Sequence, residues 1–409
     1  MSDFLDVTTS LTTRRWVGPT DDLMRQAEAL AQHTGLPVAL CQTLARRGVS
    51  AEEAERFLDP KLKDLLPDPL TLKDMGKAAA RFLAALKARQ RIAVFADYDV
   101  DGGTSAALLL TWLRDMGHQA TLYIPDRIDE GYGPNEPAMA ALAQDHDLIV
   151  CVDCGTLSHG PIAAAIGADV IVLDHHLGGE TLPDCVAVVN PNRQDESGGL
   201  AHLCAASVVF LMLVEVNRLM RAEGQKGPDL MTALDLVALA TVADVAPLIG
   251  VNRALVRQGL KVMAGRHRIG LRALADVTRM DTAPTSYSLG FLLGPRINAG
   301  GRIGAADLGA RLLATQDPIE AQALAERLDQ LNTERREIEN AVREAAIAQA
   351  EARGLDGPLV WAAGEGWHPG VVGIVASRLK ESSNRPAIVI GFDGDEGKGS
   401  GRSISGVDL

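Results

Sequence analysis

The chain is poor in the features that would tie it to a membrane, an oxidising compartment or a nucleic-acid coat. No apolar run approaches the length of a bilayer span, and the opening residues MSDFLDVTTS lack the basic and apolar segments of a secretory signal. Both absences predict a cytoplasmic protein without membrane contact. Cysteine is scarce, and the five present (Cys41, Cys151, Cys154, Cys185 and Cys204) are odd in number and sit mostly in apolar runs, which fits reduced thiols. Cys151 and Cys154 form a CxxC, but Asp153 lies inside it at the tip of an apolar run, so both thiols read as packing residues. Positive charge is also short: 40 Lys and Arg against 53 Asp and Glu leave a net charge of −13. That balance argues against a general nucleic-acid coat and leaves room for an enzyme with a local basic groove. There is no internal repeat or low-complexity segment. No GxGxxG follows the first apolar strand, which weighs against a dinucleotide-dependent dehydrogenase.

What is abundant is acid at the ends of apolar runs. RIAVFADYDVDGGTSAALLL, residues 91–110, delivers Asp97, Asp99 and Asp101 at every second position off an apolar strand, with Gly102 and Gly103 turning the chain into a helix that starts near Thr104. Carboxylates this close repel one another, and a hard divalent cation is a simple compensation. A hydrated acidic strand end, or a ribose-binding carboxylate at a sheet switch point, would use the same residues. Two further runs have the same form. LIVCVDCGT (148–156) ends in Asp153, and ADVIVLDHH (168–176) ends in Asp174, His175 and His176. If the strands are parallel neighbours, all three tips converge outside their carboxyl ends. Asp244 closes the apolar helical run LDLVALATVADVAPL, where an ordinary helix-terminal role is the alternative. Carboxylates plus imidazole, with no thiolate set, suit Mn²⁺ or Mg²⁺ better than zinc.

A length of 409 residues predicts two or three domains. Residues 1–75 read as an N-terminal cap of short helices broken by prolines. Residues 76–317 read as one domain: from about 76 to 250 apolar strands alternate with helical stretches, the pattern of a parallel α/β sheet, and 251–315 look helical and close it. Residues 318–354 hold no glycine or proline between Pro318 and Gly354 and predict one long interdomain helix with a solvated, charged face. Residues 355–409 begin a second α/β unit. GPRINAGGRIG (294–304) and GKGSGRSISG (397–406) read as glycine loops, able to approach phosphate or simply to turn the chain.

In order and context, DYDVDG, VDCG, DHH and TVADVAPL resemble motifs one to four of the DHH phosphoesterase superfamily. GPRINAGGRIG and GKGSGRSISG narrow the resemblance to its RecJ family of single-strand-specific 5′-to-3′ DNA exonucleases. The resemblance implies a DHH domain with a mainly parallel sheet, joined by the long helix to a partial DHH-associated domain. The family continues with a further strand, a helix, a GGHxxAAG loop and an OB fold, so the chain is expected to be truncated relative to it.

The resemblance also implies two-metal hydrolysis of a phosphodiester with Mn²⁺ or Mg²⁺. Asp153 would bridge the ions, Asp99 and Asp97 would hold one, and Asp101, His175 and Asp244 the other. His176 would contact phosphate or donate a proton, and Asp174 would orient a histidine or cap a turn. Arg127 would bind phosphate and Tyr132 would stack on a base or pack on the domain. Arg296, Asn298 and Arg302 would face the substrate. Ser400, Arg402 and Ser403 would take the 5′ phosphate, and His368 would contact the DNA backbone or cap a helix. The implied partners are single-stranded DNA, a single-strand-binding protein and a helicase, with the chain a monomer acting in repair and recombination. The alternatives are a DHH phosphoesterase of small substrates (nanoRNA, nucleoside bisphosphate or pyrophosphate) and a non-catalytic DNA-binding scaffold.

Overall fold

A computed structural model describes residues 3–12, 14–355 and 357–409. The chain divides into two compact units, Met1–Leu66 with Leu248–Ala254, and Pro67–Pro247 with Leu255–Leu409. The first is helical. Thr20 caps Asp21–Thr34 by accepting from Leu23 N, Gly35 ends that helix in the left-handed region, and Ala27 and Leu30 pack with Cys41 and Leu44 of Val38–Arg46.

The second unit is built on a five-stranded, wholly parallel sheet in the order β2-β1-β3-β4-β5. Its strands are β1 (Ile92–Ala96), β2 (Ala120–Tyr123), β3 (Leu148–Val152), β4 (Asp169–Leu173) and β5 (Ala187–Val189). β1 and β3 are buried at every position, as expected of strands covered on both faces. Ala93, Phe95, Ile149, Cys151, Val170 and Val172 form one face of the core with Met139 and Leu142 of the Glu136–Asp145 helix and Ile162 of the His159–Ala163 helix. Helices Met75–Lys87, Val100–Asp115 and Ala205–Ala222 also pack on the sheet.

Register, rather than strand alternation, aligns the acids. Ala96, Val152 and Leu173 are partners across β1, β3 and β4. The next residue on each strand is therefore Asp97, Asp153 and Asp174, a row along the carboxyl edge of the sheet. Asp97 N donates to Val152 O (3.4 Å), and Asp153 N donates to Leu173 O (2.9 Å).

Three local expectations need correction. The helix after β1 starts at Val100, not near Thr104, so Asp99 is its N-cap and Asp101 lies in its first turn. Gly102 is needed for close approach: a Cβ there would collide with the Asp97 carbonyl. GPRINAGGRIG is not a loop but the helix Gly294–Ile303, in which a Cβ on Gly301 would lie 2.6 Å from Tyr98 O. GKGSGRSISG runs first as the strand Glu396–Arg402, whose hydrogen bonding to the strand Ala387–Asp393 outweighs the looseness of its glycines.

The helix Pro318–Arg353 has 36 residues, roughly 54 Å at 1.5 Å per residue, with Asp317 capping Ile319 N and proline at its first position. It packs on helices Ile269–Val277 and Gly294–Ile303. Val342, Ala346 and Ala350 then join the core of the second α/β layer. That layer holds β6 (Val360–Glu365), β7 (Ala387–Asp393) and β8 (Glu396–Arg402), with β6 and β7 parallel and β8 antiparallel to β7. The helix Pro369–Ser383 packs against all three strands. Among the described residues, no helix is long and apolar enough to cross a membrane.

Candidate active site

Each acid of the carboxyl edge is held by a different local device. Asp99 accepts from Asp101 N (2.8 Å) and Gly102 N (3.1 Å), capping the Val100–Asp115 helix. Asp101 is buried and accepts from Ala205 N (2.6 Å) and Ala206 N (2.8 Å), the first turn of the helix Ala205–Ala222, whose dipole favours an anion there. Asp153 sits in the left-handed region, φ 61°, a conformation that turns it off the strand and is sparsely populated by non-glycine residues. Asp244 is the C-cap of Leu234–Ala243.

Asp174 serves the histidine pair. It accepts from His175 N (2.7 Å), His176 N (3.2 Å) and Thr156 N (3.0 Å), and it lies 2.8 Å from His176 Nδ1. His175 sits among three carboxylates. Its Nε2 is 3.3 Å from Asp153 Oδ1 and 3.6 Å from Asp101 Oδ2, and its Nδ1 is 3.8 Å from Asp244 Oδ2.

These side chains fall into three overlapping groups whose ligand atoms lie within 4.8 Å of one another: Asp97, Asp99 and Asp153; Asp101, His175 and Asp244; and Asp153, His175 and His176. The donor set tests well for divalent cations. Asp97 Oδ1 and Asp153 Oδ1 are buried with no hydrogen-bond partner, and a buried unpaired carboxylate oxygen is costly. Burial and the Asp99 carboxylate push the Asp97 carboxyl up to about 8. Burial and the neighbouring acids hold Asp101 and Asp153 well above the usual carboxylate range. Asp244 rises to about 6 for the same two reasons, burial and Asp99. Acids that cannot all ionise side by side become full ligands once cations neutralise them, and oxygen with imidazole suits Mn²⁺ or Mg²⁺. Asp174 moves the other way: burial opposes its ionisation, but the hydrogen bond and charge of His176, with Thr156, outweigh it and leave it ionised. That hydrogen bond raises His176, whereas burial and His176 lower His175.

A cationic cleft of about 490 Å³ lies beside this cluster, lined by Arg127, Arg302, Arg378, Lys398, Ser400 and Arg402 among others. The Arg127 guanidinium stacks 4.3 Å above the Tyr98 ring, between Asp97 and Asp99 in sequence. Arg302 donates to Gly370 O (3.1 Å), and burial beside Arg127 and Arg335 lowers it to about 10, the mark of crowded cations suited to an anion. Lys398 reaches across to Ile128 O (2.8 Å), and Arg402 Nη1 donates to Ser400 Oγ (2.7 Å). A second cleft of about 570 Å³ shares Arg302 and Arg378 and adds Asn298, Arg335, Arg336 and Arg343.

Tyr132 stands at the cluster itself. Its hydroxyl donates to Asp153 O and lies 3.2 Å from the His176 ring nitrogens, and more than half of the residue is exposed. Other expected substrate residues are engaged elsewhere. Arg296 is bound to Asp329 (2.8 Å) and Leu292 O and lines neither cleft. Asn298 lines the second cleft but uses its Oδ1 to accept from Val100 N (3.1 Å). His368 caps its helix by accepting from Gly370 N (3.0 Å). The Ser403 hydroxyl bonds the carbonyls of Val407 and Ile404.

Sequence reasoning missed Tyr98, Asn190 and Asn192. Asn190 is fully buried and donates to His176 O and Thr156 Oγ1 (both 2.8 Å), and Asn192 donates to His175 O (2.6 Å). Together they fix the backbone of the histidine pair. Two asparagines directly after an apolar strand, in AVVNPN, were the available signal.

Comparison with known proteins agrees with this geometry. Residues 91–241 match the DHH family, N-terminal domain, and residues 356–409 match the DHHA1 domain. Two curated relatives, each a single-stranded-DNA-specific exonuclease RecJ, come from Bacillus subtilis and Salmonella typhimurium. The first is 38% identical over 94% of this chain and 48% of the relative, and the second 40% identical over 94% and 69%. The chain thus spans about half of the first and two thirds of the second. A crystal structure of exonuclease RecJ bound to manganese superimposes with a TM-score of 0.73 at 36% identity over 84% of each chain. RecJ of Thermus thermophilus in complex with Mn²⁺ gives 0.78 at 33% identity over 95% of this chain and 55% of that one. With a parallel sheet ending in this acid and histidine cluster, and with that identity over more than two thirds of a relative's length, the chain belongs to the RecJ family.

Proposed function

We propose that the chain hydrolyses phosphodiester bonds of single-stranded DNA from the 5′ end, using two divalent cations, Mn²⁺ or Mg²⁺. The observation that carries this reading is a buried cluster of acids with orphaned oxygens, Asp97 Oδ1 and Asp153 Oδ1, beside a cleft lined by five cations. The names of the relatives, and Mn²⁺ and Mg²⁺ in their structures, support the same activity. When bound, such cations supply Lewis-acid charge at the phosphoryl oxygens and acidify a water.

The chain's own residues do the rest. Asp97, Asp99 and Asp153 would hold one cation and Asp101, His175 and Asp244 the other, and Asp153, 3.3 Å from His175, is the acid placed to serve both. The Ala205 and Ala206 amides orient Asp101, and Asp174 orients His176. His176 gives its proton to the leaving 3′ oxygen, and Tyr132 steadies that ring. Arg127, Arg302 and Arg402 hold phosphates, and Ser400 with Arg402 takes the terminal 5′ phosphate, which sets polarity. Bases splay against the exposed face of Tyr132, a contact that tolerates any sequence. In this reading residues 76–317 carry the chemistry and residues 355–409 the substrate contacts. The chain works as a cytoplasmic monomer in repair and recombination, beside a helicase and a single-strand-binding protein, as the family resemblance suggests.

The test is digestion of end-labelled single-stranded and duplex DNA with Mn²⁺, Mg²⁺ or EDTA, beside Asp153→Ala. Cation-dependent loss of nucleotides from the 5′ end of the single strand alone, absent in the variant, is the expected result. Hydrolysis confined to short oligonucleotides or pyrophosphate would move the chain to the small-substrate branch. No hydrolysis of any substrate would leave a scaffold.

A further inference from the structure

A cavity of about 730 Å³ lies at the far end of the helices that carry the acidic cluster. The Val100–Asp115 helix has Asp101 in its first turn and Arg114 and Asp115 on the cavity in its last. Its 16 residues put those ends roughly 20 Å apart. The Leu234–Ala243 helix repeats the arrangement, with Asp235 on the cavity and Asp244 at its C-cap. The cavity is therefore a site separate from the centre described above.

Met231, Val262 and Ile269 supply an apolar stretch of its wall, and most of the other lining residues are polar or charged. One charged pair is closed: Arg268 meets Asp235 through two hydrogen bonds of 2.9 and 3.0 Å, and neither is exposed. Three other charges are open. Arg114 donates to neutral acceptors, Ala314 O (2.7 Å) and the side-chain oxygen of Gln316. Lys261 is exposed, and among the described residues neither it nor Asp115 has an ion-pair partner.

Two cations without a carboxylate, one carboxylate without a cation and an apolar stretch of wall, in a volume typical of small-molecule sites, match one kind of ligand. It carries a phosphate, a hydroxyl or amine donor, and a flat apolar ring. We propose that this cavity binds a nucleoside 5′-monophosphate, with the phosphate at Arg114 and Lys261, a donor group on Asp115 and the base against Met231 and Val262. Degradation of DNA from the 5′ end releases this compound, so the ligand is the chain's own product; that attribution rests on the exonuclease reading, whereas the binding does not.

Titration calorimetry with dAMP and with inorganic phosphate, both in EDTA, tests the site without any hydrolysis. Wild type and Asp153→Asn should bind dAMP equally, Lys261→Glu should weaken it at least about tenfold, and Asp115→Asn should narrow the preference for dAMP over phosphate. No binding to wild type would overturn the proposal. So would binding that Asp153→Asn removes and Lys261→Glu leaves unchanged, or equal affinity of wild type for phosphate and dAMP. Normal dAMP binding by a chain that degrades no DNA would overturn the exonuclease reading and leave the site standing.

Discussion

Replacing Asp97 by asparagine should stabilise the cation-free protein while removing its activity. The carboxyl is about 3% exposed, one oxygen has no partner, and burial with the Asp99 charge lifts its pKa from 3.8 to about 8. A carboxyl raised in the folded state costs nothing below about pH 3.8, where both states hold the proton. Between about 3.8 and 8 the unfolded chain ionises and the folded chain does not, so stability falls by about 1.4 kcal/mol per pH unit, and above about 8 the loss levels off. At pH 7 the sum is on the order of 4 kcal/mol. Asparagine removes the ionisation but leaves an amide with unmade hydrogen bonds, worth about 2 kcal/mol. A net gain of about 2 kcal/mol in a chain of 409 residues raises Tm by about 2 °C. Differential scanning fluorimetry in EDTA between pH 5 and 8 should show wild type losing Tm faster than Asp97→Asn as pH rises. Adding Mn²⁺ should reverse the order, because cations stabilise the state that binds them. An Asp97→Asn Tm in EDTA at or below that of wild type at pH 7 to 8 would refute the argument that these acids are held together against their own repulsion.

Arg402→Ala should erase any preference for phosphorylated over hydroxyl 5′ ends, read as the ratio of degradation rates on the two substrates; an unchanged ratio would remove Arg402 from the end-binding role. Gly301→Ala puts a Cβ 2.6 Å from Tyr98 O, so it should lower Tm and shift the Arg127 stack, with a fall in activity larger than that of Gly76→Ala, another helical glycine, whose Cβ would meet only the Leu70 side chain at 3.4 Å. Arg268→Ala leaves Asp235 buried and unpaired and should cost about 3–5 kcal/mol, measured by denaturant unfolding. Tyr132→Phe keeps the ring and loses the hydroxyl bonds to Asp153 O and His176, so the turnover rate should fall with little change in DNA affinity.

The sequence by itself determined the ligand types and the strands that carry them. An apolar run of strand length followed by an acid is a local pattern, and it occurs at Asp97, Asp153 and Asp174. The long helix was equally legible, because an unbroken run without glycine or proline has little else to become. Tertiary structure decided what those residues touch. The Ala96–Val152–Leu173 register sets the acids in one row, and amides more than a hundred residues away hold Asp101. The glycine-rich segments misled because glycine permits a loop without requiring one. Close packing on Tyr98 made one a helix, and pairing with β7 made the other a strand. Arg296 and Arg302 are six residues apart in the same motif, yet one is tied to Asp329 and the other faces the cleft, since the direction of a side chain on a helix depends on its neighbours. Hydrogen bonds and ion pairs between distant segments have no local signature, so the fold alone could separate ligand, support and bystander.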